Sequence, residues 1–323
     1  MRTIFAGALA FGLAAAPAAA TEITLAHVLS ENSAYHVIFT RFKELVEERS
    51  DGEISVDVQC CGQAGNEGRL IQSLRTGVLD GAFVGGSSLE TVVPDFRVLS
   101  LPYVFDSNEQ ANAILQGELG DEMLTLLDEY GMTGLGWGAI FERNVASREP
   151  IETVEDMENL KIRVLQTPGF VAAYEALGAQ PTPMAYGEVF LALQNGVVDA
   201  LEISKDAVVA DRFVEAIGAY ALTKTHQSTT VFTMSQARFA ALPEETQALM
   251  REAAKEAIAH GLVEHKRLND QGLATVKEMG VTVTEPDLAP FAEKARASYG
   301  PILAEAPGGA ALIEKIDAAK ASR

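Results

Sequence analysis

The sequence predicts an α/β protein of two lobes, joined by crossing strands, with one long helix running along both. Three observations predict it. Strand-like and helix-like segments alternate in two separate blocks, one starting at Ile23 and the other near Trp137. Beyond the first twenty positions about 300 residues remain, ample for two domains. An unbroken helical pattern runs from Glu244 through Ala253, Ala257, Leu262 and Leu268 to about Met279, longer than an ordinary globular helix. No repeat and no low-complexity linker interrupts the chain. Crossing elements rather than a flexible tether are therefore expected between the lobes.

The elements follow in order. Arg2 is the one charge in the first twenty residues, Thr3 to Ala16 is apolar and rich in Gly and Ala, and Pro17-Ala18-Ala19-Ala20 offers small residues for cleavage. This run is too short to span a membrane, which takes roughly 20 residues. The expectation is a signal peptide cleaved after Ala20 and an exported, soluble mature protein. Ile23 to Val28 reads as a buried strand, and Ser30-Glu31-Asn32-Ser33 as a capping turn. Tyr35, Phe39, Phe42, Leu45 and Val46 have helical spacing, and Asp51-Gly52 ends that helix. Ile54 to Val58 alternates as a strand, a helix spans Glu67 to Thr76, and Gly81 to Val84 is the next strand, running into Gly85-Gly86-Ser87-Ser88. The alternation predicts a mainly parallel sheet with helices on both faces and ligands at the strand ends: His27-Val28, Cys60 to Gln63, and Gly85 to Ser88. In the second block Lys161 to Leu165 and Asp199 to Ile203 read as strands. Ser228 to Thr233 is the centre of a β-rich run expected to cross between lobes. The expected division is residues 21–140 plus 229–268 in the first lobe, and 141–228 plus 269–323 in the second.

Composition narrows the function. The formal charge is −20, and without Arg2 it becomes −21, with 24 basic against 45 acidic residues. Such a surface repels nucleic acid and anionic membranes. It also repels anionic ligands at long range, so an anion site must be locally positive. The two cysteines, Cys60 and Cys61, are adjacent. They read either as a vicinal disulfide or as two small, partly buried thiols at a strand end. No P-loop, GxGxxG, HExxH, CxxC or GxSxG pattern occurs, and the five histidines do not cluster. Nothing argues for catalysis, a cofactor or a metal. His27, at a strand end, is the histidine placed near a cleft; the alternative is a hydrogen-bonded structural histidine.

Two arginines carry the functional signal. Arg163 interrupts the apolar run Lys161-Ile162-Arg163-Val164-Leu165. A buried guanidinium costs several kcal/mol unless an anion or a hydrogen-bond network meets it. Its planar fork matches a carboxylate through two parallel hydrogen bonds. The partner is either an internal Asp or Glu or a bound anion. Arg143 lies 20 residues earlier, just after the strand-like Gly136 to Ile140. Two guanidiniums at one sheet end repel, so a buried pair implies an anion between them. The alternative for Arg143 is a surface arginine paired with Glu142 or Glu149.

At these residues the chain resembles the substrate-binding proteins of tripartite ATP-independent periplasmic (TRAP) transporters, of the dicarboxylate-binding, DctP-type group. The resemblance covers nearly all of the mature chain. In the first block it rests on Phe42 to Glu48 followed by Asp51-Gly52, on Gly62-Gln63, on Leu74 to Gly81, and on Leu101-Pro102-Tyr103-Val104-Phe105. In the second it rests on Pro150-Ile151 with Thr153 and Glu155-Asp156-Met157, on Leu160 to Val164, on Gly178-Ala179 with Pro181-Thr182-Pro183-Met184, on Gly187 to Phe190, and on Ala192 to Ala200 with Glu202.

The resemblance implies a two-lobed periplasmic binding protein fold that closes on a small organic acid and delivers it to the small and large permease subunits in the membrane. It implies a monomer serving a transporter, or alternatively a sensor, rather than an enzyme. It implies that Arg163 grips the ligand carboxylate, that Arg143 assists, that Tyr186 packs on the ligand and that Gln166 lines the site. Ser87 and Ser88 are candidates for hydrogen bonds from the first lobe. Where the family commonly reads Gly-x-Glu-Asn-Pro, this chain has Ala200-Leu201-Glu202-Ile203-Ser204. Glu202 and Ile203 are thus expected at the ligand, with Ile203 an apolar wall that argues against a highly hydroxylated ligand such as sialic acid.

Overall fold

The computed structural model describes residues 20–322. The expected signal peptide rests on residues 1–19, outside the described residues. Among the described residues eleven strands form two sheets: β1 (Thr21–Ala26), β2 (Ile54–Gln59), β3 (Gly81–Gly85), β4 (Met132–Trp137), β5 (Phe141–Ser147), β6 (Lys161–Val164), β7 (Gln180–Pro183), β8 (Ala200–Ile203), β9 (Ala219–Ser228), β10 (Thr230–Ser235) and β11 (Thr282–Thr284). The first sheet has the order β2-β1-β3-β10-β4 and the second the order β11-β9-β5-β8-β6-β7. Both are mixed rather than mainly parallel. β1 pairs in parallel with β2 and β3, but β10 runs antiparallel to β3 and β4. β5 runs antiparallel to β8 and β9.

Each sheet lies between two apolar layers. Along β3, Ala82 and Val84 enter one cluster with Leu70, Leu74, Phe96 and Trp137, while Phe83 faces another with Phe39, Phe42 and Phe232. That is the two-residue period of a strand buried on both faces. The helix Ala34–Arg49 supplies the second layer. Ser33 caps it by accepting from the His36 N–H, and Tyr35, Ile38, Phe39, Phe42, Leu45 and Val46 form its buried stripe. The second lobe repeats the arrangement, with Ile162, Val164 and Phe170 on one side and Leu201, Ile203 and Phe213 on the other.

The chain passes between the sheets twice, side by side. β4 leads to β5 through residues 138–140, and β9 leads to β10 through Thr229 alone. Gly138 N–H donates to the Thr230 carbonyl at 2.8 Å, and Phe141 pairs with Ser228. A third connection is the helix Glu244–Glu278, 35 residues long, or about 52 Å at 1.5 Å per residue. Ala253, Ala257 and Ile258 pack in the first lobe and Val276 in the second. Glycine makes both seatings possible: a Cβ at Gly261 would stand 2.1 Å from Ile38, and one at Gly272 2.3 Å from the Lys205 carbonyl oxygen.

The C-terminal segment does not stay with the second lobe. The helix Leu288–Ala295 buries Phe291 and Ala295 there. The helix Gly309–Ala321 instead places Leu312 and Ile316 in the first-lobe cluster with Phe96 and Trp137. The expected assignment of 269–323 to one lobe is corrected accordingly: the apolar stripe of the last helix is completed by the first lobe.

A buried ion pair locks the long helix to the crossing. His265 Nδ1 lies 3.2 Å from Asp206 Oδ2, and its Nε2–H donates to the Ile140 carbonyl at 2.9 Å. Ser204 Oγ donates to Asp206 Oδ1. Burial alone would lower the imidazole, but Asp206 and the Ile140 carbonyl prevail and hold it above its ordinary 6.5. A raised folded-state value means stabilisation that is complete below about pH 6.5 and is lost as the pH climbs past the folded value. Replacing His265 by Gln is therefore expected to lower the denaturation midpoint most near pH 6 and progressively less at higher pH. Denaturant titrations of both proteins between pH 5.5 and 9 check this; a pH-independent difference would refute it.

Candidate functional site

A cavity of about 520 Å³ opens between the two lobes. From the first lobe it is lined by Val28, Leu29, Tyr35, Cys61, Gly62, Gly65 to Gly68, Gly85, Ser88 and Thr91. From the second it is lined by Phe141, Arg143, Arg163, Leu165, Gln166, Met184 to Gly187, and Ala207. The lining of the first lobe follows the ends of β1, β2 and β3, where the strand ends had been expected to gather.

The second lobe supplies positive charge. β8 lies between β5 and β6, and Glu202 on β8 is fully buried between the arginines of its two neighbours. Arg163 Nη1 donates to Glu202 Oε1 at 2.9 Å, and Arg143 Nε stands 3.3 Å from Glu202 Oε2. Arg163 Nε and Nη2 both donate to the Met184 carbonyl, at 3.2 and 3.0 Å. The structure thus answers the question posed by the buried arginine: Glu202 is its internal partner and also the anion between the two guanidiniums. Yet Glu202 does not exhaust them. Of the five N–H groups of Arg163, three are used, leaving one on each terminal nitrogen. The Arg143 guanidinium makes no aligned hydrogen bond to any described group, and its Nε is buried without one. Two cations against one carboxylate leave one net positive charge in this triad, on the second-lobe side of the cavity. Burial draws Arg163 below its ordinary value, with Glu202 opposing; Arg143 is held above its own by Glu202 despite burial.

The first lobe supplies the counterpart. Asn66 caps the helix Glu67–Arg75 by accepting from the Arg69 N–H at 3.0 Å, which points Glu67 from the first turn into the cavity. Glu67 accepts from the Gly85 N–H at 3.0 Å and from the Ser88 hydroxyl. Burial pushes its carboxyl up, and the Ser88 and Gly85 bonds and the facing arginines restrain that rise. The sequence reading missed Glu67. Its signal was Asn66-Glu67 opening a helix directly after a strand end that had been marked as a ligand position.

The remaining candidates divide. Tyr186 and Gln166 line the cavity. The Tyr186 ring lies 5.8 Å from Arg163 Cζ, and its hydroxyl donates to Asp211 Oδ2 at 2.7 Å. Ser88 lines the cavity, bonded to Glu67, while Ser87 is buried outside the lining with its hydroxyl unpartnered. His27 is a structural histidine. It is buried, its Nε2 meets His36 Nδ1 at 3.2 Å, its ring packs among Tyr35 and Phe39, and burial followed by His36 lowers it to about 3. Glu202 is not a wall of the cavity but the carboxylate behind both arginines. Ile203 is not a wall either: it is fully buried in the core with Leu201 and Phe213. Adjacent strand residues face opposite ways, so Glu202 toward the arginines sends Ile203 inward. Cys60 and Cys61 are joined as a vicinal disulfide, and Cys61 lines the cavity.

Comparison with known proteins places this arrangement. Residues 25–305 match the family model for bacterial extracellular solute-binding proteins, family 7, of the DctP type. A solute-binding protein of Roseobacter denitrificans is 32% identical over 289 residues, 88% of each chain. A crystal structure of a TRAP periplasmic solute-binding protein from a Sulfitobacter species, with bound β-D-galacturonate, aligns with a TM-score of 0.88 at 28% identity, covering 91% of this chain and 98% of that one. The sugar-acid-binding protein of Advenella mimigardefordensis, in complex with galactonate, aligns at 0.89 and 28% identity, covering 94% and 99%. The chain therefore belongs to the family 7, DctP-type extracytoplasmic solute-binding proteins of TRAP transporters, which bind solutes rather than convert them.

Proposed function

We propose that the cleft captures a small hydroxylated organic acid, of the size of a hexuronate or hexonate, and that closure of the lobes presents it to the membrane subunits of a TRAP transporter. The observation that carries this reading is Arg143. It is a cation at the cavity with no aligned hydrogen bond of its own among the described groups, beside an Arg163 that keeps two free N–H groups. A carboxylate bridging the two would neutralise the remaining positive charge with charge-assisted hydrogen bonds. Across the cavity, Glu67, Asn66, Ser88 and Thr91 offer acceptors and donors for hydroxyls. Ile203 lies in the core, so the apolar wall that argued against a hydroxylated ligand is not there. The lobes are 21–137 with 230–268 and the helix Gly309–Ala321, and 141–228 with 282–295, moving about the two crossings. Export with cleavage after Ala20 and delivery to small and large permease subunits belong to the same reading and draw support from the family.

A thermal-shift panel of hexuronates, hexonates, simple carboxylates and neutral hexoses tests it. A true ligand at 100 times its dissociation constant adds roughly 2.7 kcal/mol of stability. Sugar acids are expected to protect and neutral hexoses not; protection by galactose equal to that by galacturonate would sink the proposal. Arg143→Gln is expected to weaken acid binding roughly ten- to hundredfold, the worth of about 1.5–3 kcal/mol in charged hydrogen bonds, while folding stays near that of the parent. Calorimetric titration measures it, and unchanged affinity in a folded variant would remove Arg143 from the site. Glu67→Gln is expected to cost galacturonate roughly five- to tenfold in affinity, about 1–1.5 kcal/mol, and hexanoate almost nothing. An equal loss for both acids would show that Glu67 does not read hydroxyls.

A further inference from the structure

The loop from Cys60 to Glu67 carries a feature that gripping a carboxylate does not require. Cys60 and Cys61 are bonded to each other through sulfur, closing a ring around a single peptide unit. The two halves of this ring differ. Cys60 is buried, with its Sγ 3.8 Å from Glu31 Oε1. Cys61 is exposed and lines the cavity. Cys61 takes a left-handed backbone, φ +62°, which residues other than glycine avoid. Its N–H donates to the Leu29 carbonyl at 3.0 Å, and that of Gly62 to the His27 carbonyl at 3.2 Å. Leu29 is itself part of the cavity wall, and the same loop ends at Glu67.

We propose that this disulfide is a redox-sensitive wall of the acid site: the closed bond holds the shape that binds, and its reduction by a dithiol weakens binding. The proposal rests on the acid-binding reading above. A thiolate of the dithiol attacks the exposed Cys61 sulfur, the S–S bond breaks, and the electron pair leaves on the Cys60 sulfur, which takes up a proton. The second thiolate then displaces the Cys61 sulfur from the mixed disulfide, and this sulfur is protonated in turn. Two electrons and two protons pass to the protein, and the dithiol ends as a cyclic disulfide. The sulfurs must now separate from bonding to van der Waals distance. Cys60 is packed in, so Cys61 moves, and the open direction for it is the cleft. The ring no longer enforces the left-handed backbone, which loosens the bonds to Leu29 and His27 and with them the approach to Glu67.

The test compares the full chain in oxidised form and after dithiothreitol in the absence of oxygen. Affinity is read by calorimetry with D-galacturonate and D-galactonate as probes. Free thiols are counted by alkylation and mass spectrometry, and amide hydrogen exchange across residues 61–67 is followed without ligand. The expected result is two thiols, affinity lower by roughly tenfold or more, faster exchange at Cys61 and Gly62, and recovery on reoxidation. Cys60→Ser with Cys61→Ser should bind weakly and ignore the reductant. Cys60→Ala with Cys61→Gly should regain most of the affinity, because glycine takes the left-handed backbone freely. Two counted thiols with unchanged affinity and unchanged exchange overturn the proposal. Should neither probe bind either form, the acid reading fails, and the exchange arm still decides the loop: faster exchange keeps its redox sensitivity, unchanged exchange ends it.

Discussion

Glu202 sits without solvent contact between two guanidiniums, and much of the second lobe is arranged around keeping it there. Its strand β8 is flanked by β5 and β6, so each neighbour brings one arginine. A buried carboxylate with no partner would cost several kcal/mol, and so would either arginine. Together they form a triad with an excess of one positive charge. The Met184 carbonyl takes two further N–H groups of Arg163 and fixes the plane of the fork. This accounts for the run Pro181-Thr182-Pro183-Met184: β7 pairs in parallel with β6 and delivers that carbonyl to the arginine. What is left over, two N–H groups on Arg163 and the unbonded N–H groups of Arg143 beside Glu202, is preorganised before any ligand arrives. Such groups need no reorientation when an anion comes, which is where rigid sites gain affinity.

The opposite wall is built on another principle. The first lobe offers Glu67, held by Ser88 and Gly85, at the mouth of a helix capped by Asn66. Positive charge on one lobe and hydrogen-bonding capacity on the other mean that neither lobe alone makes a complete site. The two strand crossings and the long helix join the lobes, and in the proposed reading the gap narrows about them when an acid binds. Narrowing excludes water, and a pair of charges at a given separation attracts several-fold more strongly at lower effective dielectric. In that reading the site is weakest open and strongest closed.

Much of this was legible in the chain. The long helix was, because its apolar pattern runs unbroken from Glu244 and nothing competes with a 3.6-residue period of that length. Arg163 was, because a charge inside an apolar strand is a conflict that demands a partner. The identity of that partner was not, since Glu202 lies 39 residues away and pairing across neighbouring strands leaves no local mark. Ile203 shows a different failure. Reading it as a wall compared motif positions one by one, whereas alternation along a strand already forbids Glu202 and Ile203 from facing the same way. The mixed character of both sheets was hidden because antiparallel β5 and β10 enter through chain crossings, not hairpins with turn signals. Glu67 was hidden by abundance: with 45 acidic residues, a single glutamate stands out only once the fold brings it opposite two arginines.

That abundance raises a physical question, since a chain of formal charge −20 is read as gathering anions. The two scales of electrostatics reconcile it. Surface charges are screened over about 8 Å at physiological ionic strength, so most of the acidic surface is invisible to an acid at the cleft mouth. Inside, the triad is buried and barely screened, and its single excess charge outweighs many distant carboxylates. Of the nearby acids, Glu142 pairs with Lys205 at 2.8 Å, and Glu67, on the opposite wall, faces the two arginines and accepts from Ser88 and Gly85. Global charge then governs solubility and mutual repulsion between copies, and the positive wall that meets an acid is set by three side chains on three adjacent strands.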